Sequence, residues 1–266
     1  MSYPDARRLT AAGLSLAVDG PVLTVTLARP EVRNAQTPLM WSTLADIGRS
    51  VGDDVRVVVL RAAGTSFSAG LDRAMLGPHG IEGQASFAEI AAMSDEAAVD
   101  TIAGYQQGFT WWRDPRFISV AAVQGHAVGA GFQLALACDL RVLADDARLA
   151  MREPALGLVP DLSGTKPLVD LVGVSRALEI CATTRWVEAD EAAAWGLASA
   201  VVPRAELDRA VDDLVAALTA APAAAVRATH ELLAAAPARS YDAQLRAERQ
   251  AQVALLRDLV RLMRAG

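Results

Sequence analysis

Val120-Ala121-Ala122-Val123-Gln124-Gly125-His126-Ala127-Val128-Gly129-Ala130-Gly131-Phe132-Gln133 is the stretch on which the fold turns. The apolar run Phe117–Val123 reads as a buried strand. A glycine-rich turn follows, and Gly129–Cys138 reads as a helix of small residues. Strand, tight turn and helix in immediate succession form the unit of an α/β fold. The first N–H groups of such a helix have no intrahelical acceptor, and the helix dipole makes them attractive to negative charge. Gly129 and Gly131 let a ligand approach that backbone closely.

Working outward, Val55–Arg61 is a β-branched run and Leu140–Ala144 a further apolar one, so both predict buried strands. Residues 14–18 and 22–28 flank Asp19-Gly20-Pro21 and predict a β-hairpin. Thr37-Pro38 predicts an N-cap and first helical position, opening a helix to about Ser50. Residues 72–114 are irregular at first and helix-like later. From about residue 163 the pattern is almost wholly helical, with breaks at Gly173, Gly196, Pro203, Pro222 and Pro237 and one strand at Ala198–Val202. The expectation is an α/β core over residues 1–200 with a helical C-terminal region over 201–266.

Of the 266 residues 53% are hydrophobic, enough for a large core. A formal charge of −6 argues against nucleic acid or an anionic membrane as the main partner. No charged-then-apolar leader opens the sequence, and no apolar run approaches the roughly 18 residues a membrane span needs. Cys138 and Cys181 lie in apolar, helix-like contexts and predict reduced thiols in a cytoplasmic protein. His79, His126 and His230 have no metal-ligand spacing, so no metal site is expected and each reads as structural or solvated.

Two more segments interrupt apolar runs with glycine and polar residues. Ser66-Phe67-Ser68-Ala69-Gly70-Leu71-Asp72 follows the Val55–Arg61 strand. Its backbone N–H groups and those opening the 129–138 helix would make an oxyanion hole if they met at one oxygen. A dinucleotide-binding turn is excluded by context: Tyr3, Tyr105 and Tyr241 each lack a lysine four residues on, and the turn is not near the N-terminus. Gly64-Thr65-Ser66-Phe67-Ser68 lacks the last glycine of a nucleophile elbow. The other segment runs Arg152-Glu153-Pro154-Ala155-Leu156-Gly157-Leu158-Val159-Pro160-Asp161. Carboxylates bounding so apolar a run suit proton transfer if burial raises their pKa. Either of them, Asp161 ahead of a helix near Ser163 included, is equally readable as a helix cap.

Taken in order, these segments resemble the enoyl-CoA hydratase/isomerase (crotonase) superfamily. The matching runs are Ala28-Arg29-Pro30 with Asn34-Ala35, Phe67-Ser68-Ala69-Gly70-Leu71-Asp72, Gly125–Gly131, Cys138-Asp139-Leu140-Arg141, Gly157-Leu158-Val159-Pro160, and Ala192 with Trp195-Gly196-Leu197-Ala198 and Val201-Val202-Pro203. The resemblance covers about residue 12 to the C-terminus. It implies a spiral of ββα units in which the C-terminal helices assemble trimers or pairs of trimers and form a lid. It implies an acyl-CoA thioester as substrate, with coenzyme A as part of that substrate and no separate cofactor. The amides of Ala69 and Ala130 would form the oxyanion hole. Val32, Arg33, Ser68, Gly70, Leu71, Asp72 and Gly129 would lie along the coenzyme A path. Residues 73–110 would border the acyl pocket, which Trp111 and Trp112 either line or support from the core.

Hydratases of the family carry glutamates at the positions of Gln133 and Glu153, whereas isomerases use an acid at the position of Asp161. An amide at 133 cannot act as a general base. The expected chemistry is therefore thioester-enolate stabilisation with Glu153 and Asp161 moving protons, and double-bond isomerisation is favoured over hydration. The rival readings are a non-catalytic acyl-CoA-binding scaffold, and a dehalogenase or thioesterase with Asp161 as nucleophile.

Overall fold

The structure is a computed structural model that describes residues 2–77 and 80–265, so His79 lies outside the described residues. After a short helix α1 (Ala6–Ala11), β1 (Leu14–Asp19) and β2 (Val22–Leu27) form the expected hairpin. Helix α2 (Pro38–Ser50) begins as its sequence dictates: the Thr37 side chain accepts from the Met40 N–H, and Pro38 opens the first turn. Then come β3 (Val57–Ala62), α3 (Phe87–Ala91), α4 (Asp95–Thr110), β4 (Ile118–Val123), β5 (His126–Val128), α5 (Ala130–Ala137), β6 (Leu140–Ala144) and β7 (Arg148–Ala150). The chain ends with α6 (Thr165–Thr183), β8 (Val187–Glu188), α7 (Ala189–Ala194), β9 (Ala200–Val202), α8 (Leu207–Ala220), α9 (Ala223–Ala235) and α10 (Tyr241–Ala265).

The strands form two sheets, one ordered β1-β2-β3-β4-β6-β9 and parallel apart from its first pair, the other ordered β5-β7-β8. A long strand in the first sheet is followed, a short turn later, by a short strand in the second, and then by a helix. β4-β5-α5 is one such pass. β6-β7 with the 3₁₀ turn Glu153–Leu156 and α6 is the next. β3 makes the same move in reduced form, because Ser68 pairs with Ala127 of β5 as an isolated parallel bridge. From β3 to β4 to β6, both sheets thus grow by one neighbour per pass, and the chain advances as the expected ββα spiral.

Alternation along the long strands divides the core. Val58, Leu60, Ala121, Val123 and Leu143 face the main core. Val57, Val59, Val120, Ala122, Val142 and Ala144 face the other way and are covered by Leu207 and Val211 of α8. Parallel strands buried on both faces explain why these segments read as unbroken apolar runs. Trp112 is fully buried and Trp111 stacks on it at 4.1 Å between centroids, with its ring over Gly48 of α2, so both tryptophans are core residues. Cys138 is buried and Cys181 half-buried, both with free thiols. Among the described residues, no helix is long and apolar enough to cross a membrane and no cluster of side chains suits a metal ion.

Candidate active site

The two glycine-rich segments meet. Phe67 N–H donates to Gln124 O at 2.8 Å, Ser68 N–H to His126 O at 2.9 Å, and Val128 N–H to Ser68 O at 3.0 Å. Gly70 has φ +84°, and a methyl group there would stand 2.4 Å from Val128 O and 3.6 Å from Ala130 N. Only a glycine brings this backbone so close to the start of α5.

Ala69 is not a free donor, contrary to the expectation. Its N–H donates to Arg33 O at 2.8 Å and is therefore unavailable to a ligand. The free amide is two residues on. In the parallel bridge between Gln36 and Leu71, Gln36 N–H donates to Gly70 O at 2.7 Å and Asp72 N–H to Gln36 O at 2.8 Å. A parallel bridge uses the residues on either side of Leu71 and leaves the N–H of Leu71 pointing away from it. Among the described residues, neither the Leu71 N–H nor that of Ala130, in the first turn of α5, has an acceptor.

Ser68 also departs from its expected place beside a ligand. It is fully buried, and its Oγ donates to Asn34 O at 2.8 Å and accepts from Gln36 Nε2 at 3.1 Å and Gly70 N–H at 3.2 Å. It shapes the loop from within. Asp72 is held by both terminal nitrogens of Arg29 at 3.1 Å, and its other oxygen caps Ala74 N–H. Val32 and Arg33 are exposed on the adjoining turn. The buried Asn34, which donates to Ala63 O and Ser66 O at 2.9 Å, holds that turn against the loop. Its structural part is invisible in the sequence, because nothing local marks a buried amide.

Glu153 and Asp161 come to the same place by different routes. Glu153 opens the 3₁₀ turn after β7, and its carboxylate lies against Gly129, where a methyl group would be 3.1 Å from Oε1. Gly129 has φ +51° and caps α5, so both its conformation and its missing side chain are required. Glu153 Oε2 is buried and has no hydrogen-bond partner among the described residues. Burial is the main cause that raises the Glu153 carboxyl above the usual range, and the charge of Asp161 adds to it. Burial likewise raises Asp161, and no side chain donates to its carboxylate among the described residues. Asp161 is not a helix cap: α6 starts at Thr165, its N-cap is Gly164, and no side chain caps it.

Gln133 is the link between them. Its Nε2 donates to Glu153 Oε1 at 2.6 Å, while its Oε1 accepts from Leu162 N–H at 2.8 Å and Gly164 N–H at 3.2 Å. The flipped amide would set NH₂ against two N–H groups and oxygen against a carboxylate, so one orientation is dictated. From the far side, Gln106 of α4 donates to Asp161 O at 2.7 Å. Nothing in the sequence marks Gln106, an unremarkable polar residue on an amphipathic helix. Of the histidines, His230 pairs with Asp139 at 3.4 Å and His126 packs edge-on against Trp186.

The arrangement joins two free amides, one of them at a helix N-terminus, to two half-buried carboxyls whose pKa values are raised. Such a site can hold a developing oxyanion and move protons beside it. Comparisons with known proteins agree in fold. The chain superimposes on the crystal structure of a Thermobifida fusca YX protein, provisionally named an enoyl-CoA hydratase, in complex with acetoacetyl-CoA. The TM-score is 0.93 and the identity 52%, over 97% of this chain and 100% of that one. It is 33% identical over 205 residues to 4-chlorobenzoyl coenzyme A dehalogenase-1 of an Arthrobacter species, covering 76% of this chain and 70% of that one. It is also 33% identical over 210 residues to the peroxisomal fatty acid beta-oxidation multifunctional protein MFP2 of Arabidopsis thaliana, covering 76% of this chain and 26% of that one. The matched part is thus about a quarter of the plant protein's length. The family model for enoyl-CoA hydratase/isomerase matches residues 18–260, and with the spiral and the paired glycine-rich segments in place the chain belongs to that family.

Proposed function

We propose that this protein acts on acyl-CoA thioesters and shifts a carbon–carbon double bond along the acyl group, with Glu153 and Asp161 as the proton-transferring pair. The observation that carries this reading is Gln133. It stands where a second carboxylate would be needed to activate water with Glu153, and its amide is fully engaged at both ends.

In this mechanism the thioester oxygen accepts from the N–H groups of Leu71 and Ala130, each worth ~3–4 kcal/mol to the enolate transition state. Glu153 lies beside Gly129, one residue from the Ala130 donor, and is therefore the group nearest the α-carbon. Its unpartnered Oε2 removes the α-proton of a 3-enoyl ester, and the electron pair delocalises onto the thioester oxygen. In the migration-competent form the pair's one proton sits on Asp161, which returns it at the γ-carbon as the 2-enoyl double bond forms. The two carboxyls then regain their starting states by proton exchange with water.

The test is a panel of 2-enoyl-, 3-enoyl- and 3,5-dienoyl-CoA esters, with hydration and migration followed separately. Migration in the 3-enoyl esters should be faster than hydration of the 2-enoyl esters. Rapid hydration that survives Asp161→Asn but is lost in Glu153→Gln would make this a hydratase. Binding without turnover would make it a carrier or scaffold. The dehalogenase relative and the free Asp161 carboxylate favour a second reading, Asp161 as nucleophile, which halide release from 4-chlorobenzoyl-CoA would reveal.

Assembly belongs to the same proposal. Val253, Leu256, Leu259 and Val260 of α10 are each more than 40% exposed, an apolar stripe that a lone chain leaves to water. Trimers, or pairs of trimers, would cover it. Light scattering at micromolar concentration should give a mass that is a multiple of three protomers, and a monomer would refute this part.

A further inference from the structure

Residues 159–163, which carry Asp161, make no backbone–backbone hydrogen bond among the described residues. Ser163 adds a left-handed backbone, with φ +67°. The segment is instead held by amide side chains from two helices: Gln133 of α5 through the N–H groups of Leu162 and Gly164, and Gln106 of α4 through Asp161 O. Gln133 also holds Glu153, whereas Gln106 touches only the Asp161 side.

We infer that Gln106 is a positioning residue for Asp161, setting where its carboxyl reaches and so whether the enolate is protonated at a distant carbon or merely exchanges its α-proton. The inference rests on Asp161 being the proton carrier proposed above. A 2.7 Å bond from a half-buried side chain to the carbonyl of Asp161 itself fixes the peptide plane from which that carboxyl projects. Without it the loop is anchored only at Leu162 and Gly164, and a displacement of about 1 Å in a reacting group is enough to slow a step severely.

The experiment uses the full chain and compares wild type, Gln106→Leu, Asp161→Asn and the double variant. Three rates are read: migration of a 3-enoyl-CoA, α-proton exchange of a saturated acyl-CoA in D₂O, and amide hydrogen exchange at Leu162 and Gly164. Gln106→Leu should lower kcat for migration roughly tenfold, with KM and α-exchange kept within about twofold. The Leu162 and Gly164 amides should exchange faster. Added to Asp161→Asn, it should cost nothing further. Wild-type migration in Gln106→Leu overturns the inference. So does an equal loss of α-exchange, because that marks a purely structural residue. If Asp161→Asn itself leaves migration intact, or if the wild type migrates no double bond, the proton-carrier reading fails and the inference falls with it. Slowing by Asp161→Asn alone sinks only the part given to Gln106.

Discussion

Glu153→Gln should reduce α-proton exchange and double-bond migration by about 10²–10⁴-fold, the usual worth of a positioned general base. Glu153 lies against Gly129 at the Ala130 end of the proposed oxyanion hole, and its Oε2 is buried with no donor among the described residues. Affinity for a CoA ester should hardly change, because the proposed carbonyl contacts are backbone. Asp161→Asn should cost migration as much but spare α-exchange, and this contrast separates the two roles. The migration rate should follow a bell-shaped pH profile, since one carboxyl must be ionised and the other protonated. Its apparent pKa values belong to the pair. Burial raises both groups, so the acid limb should lie above the ordinary carboxylate range. Stability gives an independent check. A carboxyl whose folded pKa exceeds its unfolded one contributes stability below the unfolded value and loses it as pH rises through the folded value. Glu153→Gln should therefore raise the melting temperature at pH 7, with the advantage fading in acid. Equal melting curves at both pH values would contradict a buried, raised Glu153.

The second large effect is expected from Gln133→Glu. The Oε1 position can go on accepting from Leu162 and Gly164, while the other oxygen replaces a donor that stands 2.6 Å from Glu153 Oε1. The side chain has no room to turn aside, because a methyl group on Gly164 would already be 2.6 Å from Gln133 Cγ. Two carboxyls at that distance must share one proton. The variant thus gains an acid and a base facing one water, and hydration of a 2-enoyl-CoA should rise by about 10²–10⁴-fold from a slow wild-type rate. The gain should vanish in Gln133→Glu/Glu153→Gln. Fast hydration by the wild type, unchanged in Gln133→Glu, would mean that the amide already does what a second carboxylate does in a hydratase.

Much of this could be read from the sequence because it depends on local rules. Buried parallel strands announce themselves as β-branched runs, so β3, β4 and β6 lie close to where composition put them, and Thr37-Pro38 specified its own helix start. The glycines at 70 and 129 marked where backbone had to come close, and Glu153 and Asp161 stood out against an apolar stretch. The rest needed the third dimension. The three-residue strands β5 and β7 are too short to show a period, and they exist because each pass of the spiral supplies a neighbour. Ala69, Ser68 and Leu71 are equally plausible from composition. Hydrogen-bond direction separates them, giving the Ala69 N–H to Arg33 and the Ser68 hydroxyl to Asn34 while leaving the Leu71 N–H free. Gln106 is 55 residues from its partner Asp161, and Gln133 is 20 and 29 residues from Glu153 and Leu162, distances the sequence does not bridge. Residue type and local spacing alone mark which residues have chemistry to offer. Which of them face a common point was decided by packing, because a side chain's hydrogen-bond partners are set by the elements that close around it.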